Sequence, residues 1–184
     1  MPSLSGREIL LGVTGSIAAY KSPDVARRLQ DAGARVTAVL TPGAERFITA
    51  LTLTAVTGRP AATDPFLLAG GQMPHLALAK AADAVLIAPC SADFLSALAA
   101  GRADTLLASI VLSTRAPVFL APAMHDPMWT HPATRRNTGL CRDLGYQFIG
   151  PERGALASGD TGQGRMTEPD DLVRRLATAL SKKA

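Results

Sequence analysis

Five short apolar runs, the first four each followed by a stretch of helical spacing, constrain this chain more than anything else in it. Residues 8–13, 34–40, 84–88, 118–121 and 146–149 are too short and too apolar for surface helices and read as buried strands. Between the first two, residues 15–32 carry Ile17, Val25 and Leu29 on one side, as a helix would. Short helices are predicted at 44–48 and 52–56, and longer ones at 75–82, 92–100, 104–112, from Pro127 toward Leu144, and 168–180. Gly33, Pro42, Gly43, Gly58, Pro60, Gly101 and Gly145 punctuate the pattern, and residues 61–74 have no period and read as a loop. Strands separated by helices imply parallel neighbours joined by crossovers, with helices on both faces. The expected class is α/β, a three-layer, doubly wound parallel sheet, and 184 residues fit one domain spanning 1–184.

Composition narrows what such a domain can do. The net charge is +4, but the basic pairs Arg27 and Arg28, Arg135 and Arg136, Arg174 and Arg175, and Lys182 and Lys183 are scattered. With 4% aromatic residues there is little to stack bases, so nucleic acid is not the expected partner. Cys90 and Cys141 have no metal-ligand or redox spacing and read as core residues of a reducing compartment. No metal site is expected. No apolar run approaches the length of a membrane span, and the N-terminus has no h-region, so a soluble, cytoplasmic protein is expected.

Three loops placed just after strands carry small polar residues. The turn Gly12-Val13-Thr14-Gly15-Ser16-Ile17-Ala18 presents backbone N–H groups at a helix start, which suits a phosphate, although Ser16 can equally be an ordinary N-cap. It lacks the third glycine of GxGxxG and the GK[ST] of a Walker loop, which argues against a dinucleotide and ATP. The loop Ala88-Pro89-Cys90-Ser91-Ala92-Asp93-Phe94 lets a flat ring approach the backbone, while Ser91 and Asp93 also suit a helix cap. The third loop reads PAMHDPMW from Pro122 to Trp129. Carboxyl ends of strands are where open α/β sheets bind ligands, and three such loops on one edge point to a cofactor crevice. The glycine-rich segment from Gly154 to Met166, GALASGDTGQGRM, has no apolar period and reads as a mobile flap.

GVTGSIAAYK, the region of Thr41 and Phe47, HLALAKAAD, APCSADF, PAMHDPMW and SGDTGQGRM stand in the order and spacing of the homo-oligomeric flavin-containing cysteine decarboxylases. The chain resembles that family over nearly its whole length, and most of all its phosphopantothenoylcysteine decarboxylases of coenzyme A biosynthesis. The resemblance implies a Rossmann-like (flavodoxin-like) fold and FMN as cofactor. It places the FMN phosphate at Gly15, Ser16, Ile17, Ala18 and Thr41, with Phe47 and Thr52 nearby, and the flavin ring against Ser91, Ala92, Asp93, Ala123 and Met124. It further implies FMN between the subunits of a homotrimer, often assembled into a dodecamer. His75 matches the family's active-site histidine, whose imidazole can take the substrate thiol proton. His125, Met128, Ala157, Gly159 and Arg165 fall at substrate-binding positions, Arg165 suiting a phosphate or carboxylate.

Two positions depart from the family pattern. His125 stands where many members have an Asn on the substrate carboxylate, and Ser158 where many have a Cys that protonates an enethiolate. A hydroxyl is a far weaker acid than a thiol, so either another group, with His125 the nearest, gives that proton, or the reaction stops at the enethiol. The expected activity is FMN-dependent decarboxylation of 4'-phosphopantothenoylcysteine, a small phosphorylated substrate, made either by a separate ligase or by another part of a longer bifunctional enzyme. The alternatives are a peptidyl-cysteine decarboxylase giving an enethiol and an FMN redox protein without decarboxylase activity.

Overall fold

The computed structural model describes residues 3–63 and 73–181. Of the expected 61–74 loop, residues 64–72 lie outside the described residues, as do Lys182 and Lys183. Strands β1 (Glu8–Val13), β2 (Arg35–Leu40), β3 (Ala84–Cys90), β4 (Val118–Pro122) and β5 (Gln147–Phe148) form one parallel sheet in the order β2-β1-β3-β4-β5. The strand order reverses between β1 and β3, which makes their carboxyl ends the crevice of a doubly wound sheet.

The near-continuous apolar strands are explained by burial on both faces. Side chains alternate along β1, so Ile9, Leu11 and Val13 join one core with Leu86 and Phe119, while Leu10 joins another with Val85, Ile87 and Leu120. Helices α1 (Ser22–Asp31) and α8 (Pro169–Ser181) cover the first core through Val25, Leu29, Leu172 and Leu176. The second is covered by α4 (Ala92–Ala99) and α5 (Leu106–Ser113) through Leu95, Leu98, Leu107 and Ile110, with α7 (Pro132–Asp143) adding Cys141. Short helices α2 (Ala50–Thr57), α3 (Pro74–Ala81) and α6 (Asp126–Thr130) complete the helical elements among the described residues, outside two 3-10 turns.

Two predicted helices are interrupted, both at proline. The segment 15–32 begins as a 3-10 turn, Ile17–Lys21, and restarts as α1 with Pro23 in its first turn. Proline has no N–H to continue the earlier ladder but suits a helix start. The segment from Pro127 toward Leu144 splits into α6 and α7 at His131, whose ψ of 136° is the extended conformation expected before Pro132. His131 Nδ1 then caps α7 by accepting from the Ala133 N–H at 3.2 Å.

Gly139 lies inside α7 with open space where a Cβ would stand. Gly139→Ala is expected to stabilise the protein by about 1 kcal/mol. Thermal unfolding should register this as a rise of about 2–4 °C.

Candidate active site

Hydroxyl groups lace the carboxyl ends of three strands together. Buried Thr14, just past β1, donates from Oγ1 to the Pro89 carbonyl at 2.8 Å and accepts from the Ser91 N–H at 2.8 Å. Ser16 donates from Oγ to the Ala123 carbonyl at 3.0 Å, and the Ala123 N–H reaches the Cys90 carbonyl at 3.1 Å. The loops after β1, β3 and β4 therefore form one rim. Ser91 also caps α4 through the Phe94 N–H at 3.2 Å, so its cap role and its place on the rim coexist.

Gly15 and Gly43 bring the turn after β1 against the turn after β2. A Cβ on Gly15 would stand 3.2 Å from the Gly43 backbone, a tight contact that would push the two turns apart by a few tenths of an ångström. Buried Thr41 braces the same place, its Oγ1 accepting from the Ala44 N–H at 3.3 Å. Among the described residues the N–H groups of Gly15 and Ile17 have no acceptor, which leaves donors for an anion beside this cradle. Phe47 and Thr52 follow on the exposed ledge beyond it.

A cavity of about 890 Å³ opens on the rim. It joins Ser16, Ile17 and Ala18 to Ala123, Met124 and His125, and both groups to Ala157, Ser158 and Arg165. Tyr20, Lys21, Glu168 and Met166, none of them singled out by sequence, also line it. Gly15, Thr41, Phe47, Thr52, Ser91, Ala92, Asp93, Met128 and Gly159 do not line it, and neither does His75, half-buried in the first turn of α3. One chain thus gathers a ring-sized apolar wall and a polar far side without the histidine.

The glycine-rich segment is more ordered than a mobile flap. Strands β6 (Glu152–Ala155) and β7 (Thr161–Arg165) pair antiparallel. The hairpin docks on the rim: the Met124 N–H donates to the Gly164 carbonyl at 3.0 Å, and Asp126 Oδ1 accepts from the Gln163 N–H at 3.1 Å. Gly164, at φ 120°, packs so closely that a Cβ would overlap the Met124 carbonyl oxygen. At the hairpin tip Asp160 Oδ2 accepts from Ser158 Oγ at 3.0 Å and lies 3.3 Å from His125 Nε2.

Charges in the cavity are paired. Lys21, whose side chain is 15% exposed, donates to both Glu168 oxygens at 2.8 and 3.0 Å, and Arg165 pairs with Glu168 as well. The Lys21 hydrogen bond, and then that of Arg165, hold the Glu168 carboxyl below the ordinary carboxylate range. A lowered folded value adds stability above the ordinary value of 4.5, lost as pH falls through the folded value. Glu168→Gln is therefore expected to lower the melting temperature at neutral pH, the gap closing in acid. Since Glu168 is 43% exposed, the neutral gap should correspond to about 1 kcal/mol or less. Burial raises the thiol pKa values of Cys90 and Cys141, the latter to about 11, so both are un-ionised packing groups.

The chain matches the family model described as Flavoprotein over residues 2–181. It is 45% identical over 183 residues to the coenzyme A biosynthesis bifunctional protein CoaBC of Haemophilus influenzae, covering 98% of this chain and 45% of that one. The chain thus spans less than half the length of that curated relative. Among solved structures it resembles a PPC decarboxylase with a cysteine-to-serine substitution, complexed with pantothenoylaminoethenethiol: TM-score 0.86, 32% identity, 97% of this chain and 99% of that one. The FMN-dependent cysteine decarboxylase SpaF gives a TM-score of 0.84 at 31% identity, covering 98% of each chain.

Proposed function

The chain belongs to the Flavoprotein family, and from that membership we propose that it binds FMN and removes CO2 from the cysteine carboxyl of 4'-phosphopantothenoylcysteine. The product is 4'-phosphopantetheine, in cytoplasmic coenzyme A biosynthesis, with the substrate supplied by a ligase. The observation that carries this reading is the hairpin docked by Gly164 onto Met124, closing a large cavity at the switch point of the sheet. The cavity and the Gly15–Gly43 cradle with its unpaired N–H donors fit a flat ring ending in a phosphate.

Direct loss of CO2 from the substrate would leave a carbanion with nothing to stabilise it. Bound FMN would supply a two-electron acceptor, and later donor, at the thiol carbon, which would give the departing carboxylate's electrons a C=S group to enter. Gly15, Ser16, Ile17, Ala18 and Thr41 hold its phosphate, with Phe47 and Thr52 alongside. Ser91, Ala92, Asp93, Ala123 and Met124 present small side chains and backbone to its ring. His125, Met128, Ala157, Gly159 and Arg165 hold the substrate, Arg165 and Lys21 presenting cations beside it. His75 takes the thiol proton as general base.

Because His75 does not line the cavity of its own chain, a second copy completes the site in a homotrimer or in a dodecamer of four trimers. Ile17 and Tyr20, at 54% and 64% exposed, line the cavity and are apolar area for that neighbour to cover.

Ser158 favours a second reading, a peptidyl-cysteine decarboxylase that stops at the enethiol, for it stands where a thiol would otherwise donate. Mass spectrometry of the product from the flavin-loaded protein and 4'-phosphopantothenoylcysteine separates the two. Loss of CO2 alone is expected. Loss of CO2 with two hydrogens would indicate arrest, and untouched substrate would overturn the proposal in favour of a peptide substrate or a redox role.

A further inference from the structure

We propose that Asp160 is a positioning residue that makes His125 the proton donor to the enethiolate and withdraws Ser158 from that task. The inference rests on the decarboxylase reading and deepens it. A single carboxylate oxygen, Asp160 Oδ2, meets Ser158 Oγ at 3.0 Å and His125 Nε2 at 3.3 Å. The Ser158 hydroxyl donates to it, so the hydroxyl proton is committed to a carboxylate. The hydrogen bond from Ser158, and then that from His125, hold the Asp160 carboxyl below its ordinary range, so it is ionised and can only accept.

An acceptor-only partner requires a proton on His125 Nε2. The reacting nitrogen is then Nδ1, which has no hydrogen-bond partner among the described residues. When the ring carries a second proton, the Asp160 charge compensates it. The other charged groups lining the cavity are engaged elsewhere: Lys21, Arg165 and Glu168 with one another, and Asp24 with Arg28. Asp126, next in sequence, is engaged by the Gln163 N–H. Asp160 is therefore the one carboxylate bound to His125 among the described residues.

The step balances without a further reactant. The Nδ1 proton forms a C–H bond at the carbon that lost CO2, using the C=C electron pair, while the sulfur lone pair closes a C=S. The C=S carbon is then reduced to the thiolate by a hydride, which FMN carrying the two electrons of the first half-reaction would supply.

The test uses Asp160→Asn, which keeps the shape and removes the charge, in the flavin-loaded oligomer with 4'-phosphopantothenoylcysteine. The ratio of enethiol to saturated thiol should rise at least tenfold with KM little changed, and under anaerobic conditions the flavin should stay bleached after one turnover. Ser158→Cys in the same chain should restore the saturated thiol, because a thiol donor makes Asp160 dispensable, whereas a merely structural loss would not be rescued. An unchanged product ratio, or failure of that rescue, overturns the proposal, as does enethiol as the wild-type product. If the wild-type protein leaves the substrate untouched, the function assigned above fails instead. The ring nitrogens of ¹⁵N-labelled His125 then still decide, since a neutral ring protonated on Nδ1 would overturn the role of Asp160.

Discussion

Replacing Gly164 with alanine is expected to lower kcat/KM at least about a hundredfold, since misplacing a substrate-positioning group by an ångström has that effect. The residue combines a φ of 120° with a backbone approach that leaves no room for a methyl group against the Met124 carbonyl. The added Cβ has to push the hairpin off the rim, breaking the Met124 to Gly164 hydrogen bond and moving Ser158, Asp160 and Arg165 relative to His125. Gly101→Ala separates collision from strain. Gly101 also has positive φ, 65°, but a Cβ there meets nothing within 4 Å. It should show a modest loss of stability and ordinary turnover. A Gly164→Ala protein with turnover within threefold of wild type would mean that docking of the hairpin is not needed for chemistry.

His75→Asn is expected to reduce turnover by about 10²–10⁴, the usual worth of a general base, while the protein stays yellow. A greater interest lies in mixing. If the site combines the cavity of one copy with His75 of another, chains carrying His75→Asn and chains carrying Gly164→Ala, each inactive alone, should regain activity when co-assembled. Some sites then pair an intact histidine with an intact hairpin. No recovery in verified mixed oligomers would place the histidine and the cavity in the same subunit.

The sheet and its coverage were legible because β1 to β4 are largely buried apolar runs with Gly or Pro at or just beyond their ends, a signal that needs no distant partner. The breaks at Pro23 and Pro132 had their signal in the sequence too, since proline in a first turn marks a helix start rather than a helix middle. The hairpin was not legible. Its strands are rich in glycine and polar residues, so no apolar alternation betrays them, and its placement comes from Asp126 and Met124 across more than thirty positions. The rim loops could be read as ligand-binding by their place after strands, but what ties them could not. Thr14 looks like any threonine until its partners, 75 and 77 positions away, are folded beside it. Asp160 was hidden for the same reason, standing 35 positions from His125.

The two cores on opposite faces of the sheet bear on how this molecule tolerates change. Leu10 and Leu11 are chain neighbours, yet each packs into a different half. Substitutions in helices on opposite faces of the sheet, separated by more than about 10 Å, should have free-energy effects that add. Sequence drift can then proceed through either half as a separate problem, one methyl group at a time. The strand-end rim is exempt from this freedom. Thr14, Ser16 and Ala123 lie where the two halves meet, and any backbone shift that either half adopts arrives there as a displacement. A lineage of such proteins would then vary most in its interior leucines, valines and isoleucines, and least in three small residues whose hydrogen bonds tie the rim together.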